Sequence, residues 1–109
     1  MPNKARCFLV EEPTGTKAAI ADPSDFGEVV HIFPAGVSRP SIYDSNALGD
    51  MISDRLHELK YDPTVDYLVI GGGLLLIAHT CAVIGNGLGE FKALMWDMVR
   101  CKYNEGILG

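Results

Sequence analysis

The sequence predicts a small α/β domain with a mostly parallel sheet. Three observations carry this. A continuously apolar strand is followed directly by glycines and an apolar helix (residues 66–84). An amphipathic helix precedes that strand, so two strand–helix–strand units share it. At 109 residues the chain has room for one domain and not two.

The elements are read in order. Arg6 to Val10, with Cys7, Phe8, Leu9 and Val10 in a row, is a strand. Pro13, Gly15, Pro23 and Gly27 break the next stretch into a loop with at most a helical turn near Lys17–Ala21. Glu28–Phe33 is a second strand, ended by Pro34. Residues 34–44 form a loop. In Ser45–Leu59, residues Leu48, Met51, Ile52, Leu56 and Leu59 recur at helical spacing, and Asp44 or Ser45 caps the start. Asp66–Ile70 is a strand covered on both faces. Gly71, Gly72 and Gly73 lead into a helix over Leu74–Ile84, stopped by Gly85-Asn86-Gly87. Phe91–Trp96 is a fourth strand, Asp97–Cys101 a turn, and Lys102–Leu108 a last strand that pairs back as a hairpin. The order is β-β-α-β-α-β-β, and right-handed crossovers make strands two, three and four parallel in a sheet of about five strands.

Composition narrows the function. The net charge is −5, which excludes an electrostatic binder of duplex nucleic acid. The charge is uneven. Residues 11–66 carry eleven acids and four bases, whereas residues 67–109 carry three of each. Cys7, Cys81 and Cys101 show no CxxC spacing, read best as small buried hydrophobes and fit a reducing, cytoplasmic setting. His31, His57 and His79 share no metal-ligand spacing, so no metal is expected, and no cofactor is implied. Residues 67–89 carry no charge and are long enough to cross a bilayer, but six glycines interrupt them and the flanks, Asp66 and Glu90, are acidic. They read as a buried helix, with no membrane partner.

The turn Gly71-Gly72-Gly73 is the ligand-binding candidate. Glycines let a ligand approach the backbone, and the following helix presents free N–H groups suited to a phosphate. His79 and Asp97 are the accompanying acid–base candidates. The alternative is a turn that only joins a buried strand to a buried helix. Ser38-Arg39-Pro40-Ser41 offers an arginine that grips an anion or stays solvated.

The helix after the glycines is apolar all round, and its least apolar face reads Leu76, His79, Thr80, Val83. Two helices cannot wrap that face, so a second copy or another protein is expected to cover it. The alternative cover is the loop over residues 11–27.

Three resemblances follow from these residues. Over residues 67–97 the chain resembles part of the dinucleotide-binding fingerprint. Gly71 and Gly73 match its first two glycines, Leu76 stands at the third, and Asp97 stands where that family places an acid for ribose. Leu68–Gly73, the helix with His79, and Trp96-Asp97 are similar to the back half of small ferredoxin-like CRISPR-associated ring nucleases, which implies binding of cyclic oligoadenylates by a dimer. Over residues 26–108, the Asp66-Tyr67-Leu68 strand, the glycine turn, the apolar helix and the Leu94-x-Trp96-Asp97 hairpin with Tyr103 resemble small α/β proteins of tailed phages. That likeness implies a phage-encoded protein acting on a host or virion partner. Two functions are therefore expected of this sequence. One is a self-associating binding protein. The other is a nucleotide- or cyclic-oligonucleotide-binding sensor or enzyme using Gly71–Gly73.

Overall fold

Five strands form one sheet in the order β2-β1-β3-β4-β5. They are β1 (Arg6–Glu11), β2 (Glu28–Phe33), β3 (Tyr67–Ile70), β4 (Phe91–Asp97) and β5 (Lys102–Leu108). The computed structural model describes residues 4–11, 22–71 and 73–109. Neighbours β2, β1, β3 and β4 are parallel, and β5 returns antiparallel to β4. The expected class and element order are both found. The helical turn expected near Lys17–Ala21 lies outside the described residues, which instead show one 3-10 turn at Ser24–Phe26.

Burial explains the strand order. Cys7, Phe8, Leu9 and Val10 are all buried, so β1 is covered on both faces and takes an interior place. One face of the sheet packs on α1 (Ser45–Glu58) and α2 (Leu74–Gly87). There Phe8, Val10, Leu68 and Phe91 meet Leu48, Ile52 and Leu56 of α1 and Leu76, Ile77 and Ile84 of α2. On the other face Cys7, Leu9, Val69, Leu94 and Tyr103 form a smaller core with Phe26, Val29 and Tyr67. Phe26 stands edge-on to both Tyr67 and Tyr103. Cys7 Sγ donates to the Pro23 carbonyl at 3.5 Å. Entry into β2 is close-packed too, since a Cβ on Gly27 would collide with the Ala5 carbonyl oxygen.

The ends of α1 are well specified. Asp44 accepts from the Ala47 N–H at 3.2 Å, the expected N-cap. At the other end Tyr61 N–H donates to the Leu56 carbonyl and Lys60 N–H to that of His57. This is a Schellman closure with Lys60 at φ 56, a left-handed position that glycine usually fills. Helix α2 differs from its expected bounds. It runs through Gly85 to end at Gly87, with Leu88 as its C-cap, and the left-handed residue that follows is Gly89 at φ 88. Adding a Cβ to Gly85 or Gly87 meets nothing within 4 Å, so neither is placed to break the helix.

A polar clamp ties the amino ends of the sheet to α1. Asp66, 2% exposed, accepts from Arg6 N, Nε and Nη2 and from Asp62 N, at 2.8–3.4 Å. The same guanidinium donates to the Leu59 and Lys60 carbonyls, both at 2.8 Å, capping the end of α1.

Candidate functional site

Topology singles out the carboxyl edge of the sheet. The connections β2–α1–β3 and β3–α2–β4 advance across the sheet in one direction, with both helices on one face. The connection from β1 to β2 runs the other way, and its described end, Pro23–Phe26, lies on the opposite face. Adjacent β1 and β3 thus connect onward in opposite directions across the sheet. Ligands of doubly wound sheets bind at such a switch point. Gly71 and Gly73 sit at the end of β3. Beside them, at the end of β1, Glu11 receives Arg39 Nε at 2.6 Å. Arg39, read from the sequence as either gripping an anion or staying solvated, is instead ion-paired.

The glycine turn has an unusual economy. Gly73 is extended (φ −64, ψ 126), and an added Cβ there would meet only Leu76 Cβ, at 3.9 Å. Neither backbone strain nor crowding demands glycine at 73. What its hydrogen provides is open access to the start of α2. That helix has no side-chain N-cap and no acidic residue in its first turn. Gly72 lies outside the described residues.

The two acid–base candidates are placed differently from one another. Asp97 is engaged in its own turn, where Oδ1 accepts from Val99 N at 2.9 Å and Arg100 N at 3.1 Å. The Arg100 N–H first, then that of Val99, the Asn104 side chain and the Lys102 charge hold its carboxyl below the usual range. It organises the hairpin. His79 is half-buried in the second turn of α2, between buried Leu76, Ile77 and Thr80. Among the described residues no group of three His, Cys, Asp or Glu is placed to hold a metal ion. No described helix is long and apolar enough to cross a membrane.

Helix α2 is turned about its axis relative to the sequence-based expectation. Of the face expected to look outward, Leu76 and Thr80 are buried, and His79 and Val83 are half-buried. Thr80 can lie inside because its hydroxyl donates to the Leu76 carbonyl at 2.8 Å, within the helix. Val83 faces α1, where a Cβ on Gly49 would touch it at 3.8 Å. The residues turned out are Leu74, Leu75, Ala78 and Ala82. Cys101 is a further correction. It is exposed at the hairpin tip at φ 51, whereas Cys7 is buried and Cys81 half-buried.

Sequence reasoning missed a rim. Leu74 is 82% exposed, Met98 83% and Val99 93%. All three lie at the carboxyl edge, as do exposed Val37, Tyr43 and Leu75 in the loop and helix starts beyond β2 and β3. Exposed Met95 and Trp96 end β4 at the same edge. Of the exposed large hydrophobics among the described residues, only Leu88 and Ile107 lie elsewhere. The available signal was Met98-Val99 at the tip of a hairpin, where turn residues are normally polar.

Fold and rim together define a small α/β protein with a five-stranded mixed sheet and an apolar carboxyl edge. The chain belongs to the phage Pam3 gp32-like protein family, whose model matches residues 5–108. The expected likeness to a phage protein is thereby met. No curated protein and no solved structure matches, and the ring-nuclease and dinucleotide-fingerprint likenesses find no support in these comparisons.

Proposed function

We propose that this phage-family protein is a binding module that docks a host or virion protein with its apolar carboxyl rim, acting in the cytoplasm. The observation that carries the reading is the collection of Leu74, Leu75, Met98 and Val99 at one edge of the sheet, against a core that is otherwise closed. Exposed apolar side chains gathered at one end mark an interaction site more often than scattered ones do. Apart from Val37 and Tyr43, the rim belongs to the part of the chain with balanced charge, residues 67–109. A partner therefore meets little net charge there.

The test is a Leu74→Asp, Val99→Asp double variant. Both side chains are exposed, so thermal stability should stay within about 0.5 kcal/mol of the parent at each site. Immobilised parent protein should retain a stoichiometric partner from phage-infected cells, and the double variant should not. Equal retention by both proteins would overturn the rim as the docking surface.

A second reading, a nucleotide- or cyclic-oligonucleotide-binding sensor or ring-nuclease-like enzyme, is favoured by one observation. Gly73 is glycine where packing does not require it, at the switch point of the sheet. Thermal-shift measurements with nucleotides and cyclic oligonucleotides test it. A shift abolished by Gly73→Val supports it, and the absence of any shift removes it.

A further inference from the structure

The two edges of the sheet are treated differently. At β2 the Ile32 carbonyl accepts from Arg55 Nε at 2.7 Å, and Pro34 follows the strand directly. Those are the ordinary means of closing an edge. At the other edge, among the described residues, β5 pairs only with β4, through seven consecutive residue pairs without a bulge. It contains no proline. Its charges are turned to its own sheet. Lys102 stands opposite Asp97, and Glu105 lies beside Tyr67 and Lys92 on one face of the sheet. Neither guards the outer edge. Beside that edge Ile107 is 61% exposed and Trp96 40%.

We propose that β5 pairs antiparallel with β5 of a second copy of this chain, joining two sheets into one across a two-fold axis at Asn104. Residues opposite one another across such an axis lie on the same face of the sheet. The axis must then lie midway between one residue of β5 and the same residue of the copy. An axis at Glu105 sets that carboxylate against its own copy, and like charges directly opposite destabilise a pair. An axis at Tyr103 leaves Glu105, Gly106, Ile107 and Leu108 beyond the facing strand. An axis at Asn104 aligns Lys102 through Gly106 with the same span of the partner chain. It sets Tyr103 opposite Glu105 twice and Lys102 opposite Gly106 twice, so no two like charges face one another. A second copy fits better than an unrelated strand because residues 67–109 carry equal numbers of acids and bases. Two copies of the acidic portion, residues 11–66, would repel.

Light scattering over a concentration series should show the mass of a dimer. Register is tested by cysteine placement in a Cys101→Ser background, which removes the exposed native thiol. Asn104→Cys places two thiols face to face, with Cβ atoms about 4.5–5.5 Å apart before adjustment, close to disulfide geometry. With oxidised glutathione it should give a covalent dimer on a non-reducing gel. Lys102→Cys should not, because its copy lies at the far end of the ladder. Both sites are exposed, and circular dichroism checks that the variants fold. A monomeric parent at every concentration would overturn the proposal and leave the edge to an extended segment of another protein. Equal cross-linking at 102 and 104 would overturn the register and the pairing mode with it.

Discussion

Replacing Asp66 should be the most damaging single polar substitution in the fold. Its carboxylate, 2% exposed, takes four donated hydrogen bonds, two from backbone N–H groups of Arg6 and Asp62 and two from the Arg6 guanidinium. Asp66→Ala strands both amides and leaves the guanidinium with only the Leu59 and Lys60 carbonyls. Breaking a buried ion pair by removing one partner costs about 3–5 kcal/mol. The Arg6 side chain is 27% exposed, so water recovers part of that loss and the lower figure, about 3 kcal/mol, applies. At about 4 °C per kcal/mol for a chain of this length, Tm should fall by about 12 °C. Urea titration of Asp66→Ala, Arg6→Met and the double variant gives the coupling energy, expected at about 1.5–2 kcal/mol. A cost below about 1 kcal/mol for Asp66→Ala, or coupling near zero, would refute the clamp. It would mean that β1, β3 and α1 are held together by their apolar contacts alone.

Further outcomes follow from single features. Lys60 occupies the left-handed position at the end of α1, so Lys60→Gly should stabilise the protein by about 1 kcal/mol, read by urea titration. Burial first, then the charges of Asp66 and Asp22, pushes the Cys7 thiol up to about 11, from 9.0. Below pH 9.0 folded and unfolded chains both keep that proton. Between 9.0 and about 11 only the unfolded chain releases it, so stability should fall by up to about 3 kcal/mol. Burial also raises the tyrosines Tyr61, Tyr67 and Tyr103. The range from pH 9 to 10, below their titration, is therefore where Cys7→Ala should flatten the decline. Under native conditions a thiol-directed disulfide reagent should modify exposed Cys101 quickly and buried Cys7 only after unfolding.

The sheet and α1 were legible because their patterns contrast. The run Cys7–Val10 and the stripe Leu48, Ile52, Leu56 each leave one arrangement that buries them. Helix α2 offered no such contrast. With leucine, isoleucine, valine or alanine on every side, its rotation depends on what α1 and the sheet present. A threonine that satisfies itself on its own helix can then lie inward while Leu74 lies outward. The end of α2 was misplaced because glycine was taken to break the helix at 85–87, whereas Gly85 and Gly87 fit it and the left-handed residue falls at Gly89. Of the candidate site, the glycine turn was visible as a motif. Its place at a switch point was not, because the insertion of β1 between β2 and β3 is set by long-range packing.

That insertion has a consequence for synthesis. Strand β1 leaves the ribosome before the others, yet it is flanked by β2 and, sixty residues later in register, by β3, with Cys7 opposite Tyr67. Until β3 emerges, one side of an almost wholly apolar strand has no hydrogen-bonding neighbour. Contacts so distant in sequence slow folding and lengthen the time an unpaired strand is exposed. The growing chain therefore carries an apolar, aggregation-prone segment open until β3 has been made. Conditions that slow elongation between residues 34 and 67 should lower the yield of folded protein far more than conditions that slow it after residue 97.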